Sequence, residues 1–163
     1  MTLRTVVITG ASRGLGFASA THLYKAGFRV VAAMRSVEAG LERLRSETGA
    51  TPDDERLLGV KLDLESAESI AGCATEILER VGAPDVLVHN AGVAAAGTFE
   101  DMPQSAWSLI FATNLFGPIE LTRALLPAMR NRGRGRIIIV SSQGAVRGMP
   151  ATRAYSASKG AIE

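Results

Sequence analysis

Five short apolar runs set the plan of this chain: TVVIT (5–9), RVVAAM (29–34), LLGVKLDL (57–64), DVLVHN (85–90) and RIIIVSS (136–142). Between them lie segments whose apolar residues recur at helical spacing: GLGFASATHLYKAG (14–27), SVEAGLERLRSETG (36–49), SAESIAGCATEILERVG (66–82) and a long stretch over about 104–131. A further helix begins near Arg153. Strands separated by helices of this length need right-handed crossovers, and those build a parallel sheet. The runs are near-continuous Val, Ile and Leu, the pattern of strands covered by helices on both faces. Gly27 and Gly49 read as helix stops and Ser66 as an N-cap. The expectation is an α/β fold with a doubly wound parallel sheet, in one domain over 1–163, with no internal repeat and no linker.

Composition narrows the function. With 47% hydrophobic and 21% charged residues, the chain suits a packed globular domain. A net charge of +2 is too small to argue for nucleic acid. Arg132, Arg134 and Arg136 cluster between two apolar segments and read as a solvated loop. The single cysteine, Cys73, excludes an internal disulfide and fits a reducing compartment. Two histidines and one cysteine offer no metal-site spacing. The N-terminal apolar run is too short for a signal peptide, and no run approaches the roughly 20 residues of a membrane span. A soluble, cytoplasmic protein without a membrane partner is expected.

The turn TGASRGLG (9–16) follows the first strand and opens the first helix. Gly10 can make a tight turn, while Gly14 and Gly16 allow close approach of a ligand to the backbone. A helix N-terminus then offers free N–H groups to a pyrophosphate. Further on, Tyr155 and Lys159 stand four apart, on one face of a helix. An ammonium nearby favours a phenolate over a phenol, which suits a tyrosine for proton transfer. Ser142 lies at the carboxyl end of a predicted strand, where open α/β sheets bind ligands. Ser141 should face the other side of that strand.

The pattern T-G-x-x-x-G-x-G at 9–16, HNAG at 89–92, Asn114, VSS at 140–142 and Tyr155-x-x-x-Lys159 resembles the short-chain dehydrogenases/reductases, in order and in spacing. The resemblance implies a Rossmann-like three-layer fold with strand order 3-2-1-4-5 in the part present. It implies an oxidoreductase that interconverts a carbonyl and a secondary alcohol with a nicotinamide cofactor. Tyr155 takes the role of acid/base, Lys159 assists it and holds the nicotinamide ribose, Ser142 orients the substrate oxygen, and the main-chain carbonyl of Asn114 holds a relay water. Pro118 has no N–H for that carbonyl, so the long helix should kink near Asn114; Pro127 should bend it near Arg123.

Cofactor contacts are expected from Gly10, Ser12, Arg13, Gly14, Leu15 and Gly16 in the turn, and from Asn90, Ala91 and Gly92 after the fourth strand. Asp63 and Leu64 match the family position at adenine, with capping of the next turn as a rival role for Asp63. An acidic residue after the second strand would select NAD; here Arg35 stands there, with Arg13 in the glycine turn. Two guanidiniums suit a 2′-phosphate, so NADP(H) is expected over NAD(H). His89 replaces the first Asn of the more usual N-N-A-G and reads as structural.

Family members are longer, so the chain reads as incomplete at its C-terminus, with the RIIIV strand left as an exposed apolar edge. The loop VAAAGTFEDMPQSAW (93–107) is apolar and suggests a hydrophobic ketone or alcohol as the small-molecule substrate. A homodimer or homotetramer is expected for a full-length protein. The competing reading is a non-catalytic NADP-binding domain, or an inactive fragment of such an enzyme.

Overall fold

A computed structural model describes residues 3–163. Five strands, β1 (Thr5–Thr9), β2 (Arg29–Met34), β3 (Leu57–Lys61), β4 (Val86–His89) and β5 (Arg136–Ile139), form one parallel sheet in the order β3-β2-β1-β4-β5. β1 lies at its centre with all five residues buried, as a β-branched run flanked by crossover helices should.

The helices are α1 (Gly14–Lys25), α2 (Val37–Thr48), α3 (Ala67–Val81), α4 (Gln104–Phe111), α5 (Gly117–Asn131), α6 (Gln143–Val146) and α7 (Arg153–Ile162). One core packs Ile8, Val30, Ala32 and Met34 with Ala20, Tyr24 and Leu44 of α1 and α2. The other packs Val7, Val31 and Leu87 with Ile77 of α3 and with Leu121, Leu125 and Met129 of α5. Alternate residues of β1 and β2 thus feed opposite cores, the period of a strand buried on both faces. Ser66 caps α3, its Oγ accepting from the Ser69 N–H at 3.1 Å. Gly49 ends α2 at φ +75°.

Several expected boundaries move. β3 stops at Lys61 and β5 at Ile139, so Asp63 and Ser142 lie in the turns beyond the strand ends. In place of a kink near Asn114 there is one π-helical turn, Ala112–Phe116, joining α4 to α5. A π turn absorbs a missing donor by shifting the register, and Gly117 donates to the Ala112 carbonyl five residues back. Pro127 sits inside α5 without ending it.

The continuous helix Gln104–Asn131 spans 28 residues, and an 18-residue stretch of it has mean hydropathy 1.2. By length and apolarity one helix therefore meets the requirement for crossing a membrane, against the sequence expectation that no stretch would. Its apolarity also serves the fold, since Leu121, Leu125 and Met129 are core residues.

Candidate active site

A cavity of about 500 Å³ opens at the carboxyl ends of β1–β4. Eleven expected cofactor positions line it: Gly10, Ser12, Arg13, Gly14 and Leu15 from the glycine turn, Arg35 after β2, Asp63 and Leu64 after β3, and Asn90, Ala91 and Gly92 after β4. Gly16, expected among them, is instead buried in the packing behind the turn. A Cβ there would collide with the Gly10 carbonyl and the Asn90 amide. At Gly10, φ is +69° and a Cβ would lie 2.8 Å from the Ala91 Cα, so turn geometry and close approach both demand glycine.

Thr9 and Asn90 stitch the two loops together. The Thr9 hydroxyl accepts from the N–H groups of Asn90 (3.1 Å) and Ala91 (3.0 Å), and Asn90 Nδ2 donates to the Thr9 carbonyl at 2.9 Å. Asp63 plays its rival role here: Oδ1 accepts from the Glu65 N–H at 3.0 Å, while the residue still lines the cavity. Leu15 is 72% exposed over the mouth of the cavity. Ser36, Glu65 and Thr113 also line it and were not anticipated. For Ser36 a signal existed, because it follows Arg35 directly.

The second cluster adjoins at Gly92. A Cβ on Gly92 would meet Asn114 Oδ1 at 3.4 Å and Lys159 Nζ at 3.5 Å, so both side chains stand beside this cavity-lining glycine. Asn114 is buried in the π turn. Its Oδ1 accepts from the Val93 N–H and its Nδ2 donates to the Val93 carbonyl, each at 2.9 Å, and Nδ2 also reaches Ser158 Oγ at 3.0 Å. The side chain therefore pins the loop after β4 to α7.

Lys159 is 5% exposed, and its ammonium donates to the Val140 carbonyl at 2.8 Å. Burial pushes its pKa below the ordinary lysine value. Its Nζ lies 6.0 Å from the centroid of the Tyr155 ring, one helical turn earlier on α7. Tyr155 and Ser142 converge across Gly144. A Cβ at that glycine would lie 3.6 Å from Tyr155 Cδ1 and 3.5 Å from Ser142 Oγ, so the two side chains stand on either side of it within contact distance. Ser142 Oγ accepts from the Gly144 N–H at 3.1 Å and caps α6. Ser141 turns away to bond Glu163.

His89 is buried beside this frame. Nε2 pairs with Thr122 Oγ1 at 2.8 Å, Nδ1 has no partner among the described residues, and burial pulls its pKa down to about 4. That is a neutral structural histidine. No group of His, Cys, Asp and Glu suited to a metal occurs among the described residues.

A family model described as short chain dehydrogenase matches residues 4–163. The chain belongs to the short-chain dehydrogenase family. Its fold superposes with TM-score 0.90 on a short-chain dehydrogenase from Streptomyces avermitilis, 38% identical, covering 99% of this chain and 57% of that one. A metagenomic short-chain oxidoreductase, described as in complex with NADP, matches with TM-score 0.87 and 39% identity over 96% of this chain and 70% of that one. Among curated relatives, "Dehydrogenase/reductase SDR family member 7B" of Xenopus tropicalis is 40% identical over 97% of this chain and 52% of its own length. This short-chain dehydrogenase sequence spans about half the length of the curated relatives it matches.

Proposed function

We propose that the protein carrying this chain is an NADP(H)-dependent oxidoreductase that interconverts a carbonyl and a secondary alcohol. The observation that carries the reading is the junction at Gly92, where a dinucleotide-sized cavity meets Asn114 and Lys159, with Tyr155 and Ser142 beyond. The cavity suits the cofactor in shape and in donors: glycines where a pyrophosphate needs close backbone approach, and two guanidiniums near the ribose end. Arg13 and Arg35 would hold the 2′-phosphate, with Ser36 beside them. When bound, the cofactor supplies hydride transfer.

The chain's own residues move the proton. Tyr155 gives its hydroxyl proton to the carbonyl oxygen in reduction and takes it back in oxidation. Lys159, held by the Val140 carbonyl, stands with its Nζ 6.0 Å from the ring centroid and would assist that transfer. Ser142 would hydrogen-bond the substrate oxygen. Asn114 fixes the loop at Val93 and links it to α7 through Ser158.

A hydrophobic substrate is supported by apolar side chains left open on the segments flanking Tyr155: Phe99, Val146 and Met149 are 65%, 82% and 52% exposed. Those segments are tied, the Gly97 N–H donating to the Ala151 carbonyl at 2.9 Å and Arg153 lying over the Phe99 ring. Leu109, Phe116 and Ile119, exposed on the long helix, support an oligomer through that face. The buried thiol of Cys73, pushed up to about 12 by burial, suits a reducing compartment such as the cytoplasm without taking part in chemistry.

The test is Tyr155→Phe in the full-length protein, assayed against a panel of apolar ketones. Turnover should fall by about 10²–10⁴-fold while NADPH binding is kept. Undiminished turnover would overturn the proton-transfer role. Binding without turnover in the unaltered protein would favour a non-catalytic NADP-binding domain.

A further inference from the structure

Arg43 sits on α2, in neither the cavity nor the Tyr-Lys cluster, and yet it reaches the glycine turn. Its Nη1 donates to the Ser12 carbonyl at 3.2 Å, and its guanidinium carbon lies 5.2 Å from the centroid of the Phe17 ring on α1. One side chain thus joins α2, the turn and α1.

We propose that Arg43 is a positioning residue for the glycine turn, holding the Ser12 peptide so that the Arg13 N–H faces the bound dinucleotide. This rests on reading the cavity as a dinucleotide site.

A trans peptide is planar, so its C=O and N–H point in opposite directions. The Ser12 carbonyl and the Arg13 N–H belong to one such plane. Engaging the carbonyl from the α2 side turns the N–H the other way, and both Ser12 and Arg13 line the cavity. Among the described residues, no other side chain hydrogen-bonds the backbone of residues 11–15. The turn needs such a restraint. Gly14 follows at φ +58° with open space around it, and Leu15 is largely exposed. A glycine-containing turn has many conformations to lose on binding. Fixing the plane beforehand removes part of that cost.

An exposed arginine is ordinarily spread over many rotamers. Stacking on Phe17 restricts this one, and its rigid planar fork suits it to a fixed carbonyl better than a lysine would be.

Arg43 acts on the turn that would cradle the pyrophosphate, which NADPH and NADH share. Arg13 and Arg35 act on the 2′-phosphate, which only NADPH carries. The two roles separate in a binding experiment. NADPH and NADH are titrated by fluorescence against the unaltered protein, Arg43→Gln, Arg43→Lys and Arg35→Gln. Arg43→Gln should weaken both dinucleotides by a similar factor of about tenfold, the size of one hydrogen bond from a charged donor. The NADPH-to-NADH affinity ratio and the unliganded Tm should stay as in the unaltered protein. Arg43→Lys should recover part of the loss, and Arg35→Gln should weaken NADPH alone.

Unchanged binding by Arg43→Gln overturns the proposal. So does a loss confined to NADPH, which would make Arg43 a direct phosphate ligand. If Arg43→Gln lowers the Tm, Arg43→Lys and Phe17→Leu read the same ratio, and a changed ratio in them overturns it equally. Failure of the unaltered protein to bind either dinucleotide would remove the underlying reading of the cavity as well, an outcome distinct from a defect of the variants.

Discussion

His89 shows how one residue sets a pH limit without touching the chemistry. Unfolded, its ring titrates near 6.5; folded, burial lowers that to about 4. Between those values the unfolded chain binds more protons than the folded one, so stability falls as pH drops through the window and is flat above it. From pH 7.5 to 5 the loss should be about 2 kcal/mol in urea unfolding. His89→Asn should flatten that slope, and an unchanged slope would place the acid sensitivity elsewhere. Much at this scale was legible in the sequence. The glycines of 9–16 follow from what a backbone can do, while Ser142 was expected from its spacing to Tyr155; the alternation that set Ser141 aside does not reach either serine, because β5 ends at Ile139. Gly16 was read as a contact and serves as packing, because its neighbours Gly10 and Asn90 meet it only through the fold. Arg43 carried no signal. Its partner lies 31 residues away, and an arginine on an exposed helix face looks like every other.

Strand and helix identities followed from periodicity, and the ends that moved did so for local reasons. The apolar letters of LLGVKLDL and RIIIVSS run past the last paired residue, because Leu62, Leu64 and Val140 follow the strand ends at Lys61 and Ile139. The short α6, capped by Ser142, had no periodic signal in four residues. The edge strand β5 was legible as a liability. Among the described residues it pairs with β4 alone, and Ile137, Ile138 and Ile139 are 39%, 40% and 37% exposed. An unpaired apolar edge recruits other strands. Ile138→Lys should therefore reduce self-association of this polypeptide in sedimentation velocity while shifting Tm by no more than a few degrees. Equal association in both would show that β5 is not the contact.

At the scale of the whole molecule, the glycine turn, the ends of β2 and β3 and the loop after β4 are held by different halves of the sheet, and the cavity exists only when all are in place. Ligand binding should therefore stabilise the fold globally. At NADPH one hundred times its Kd the gain is about 2.7 kcal/mol, which corresponds to a Tm rise of roughly 5–10 °C for a chain of this size. NADH at the same concentration should raise Tm less, and an equal rise would remove Arg13 and Arg35 as selectors. The π turn joins α4 to α5. One added residue rotates everything after it by about 100° about the helix axis. Upstream of that rotation the helix meets α7, and downstream it buries Leu121, Leu125 and Met129 against the sheet. The turn is a phase adjuster between a chemical face and a packing face. Any single-residue deletion within 112–116 would keep one in step only by throwing the other out.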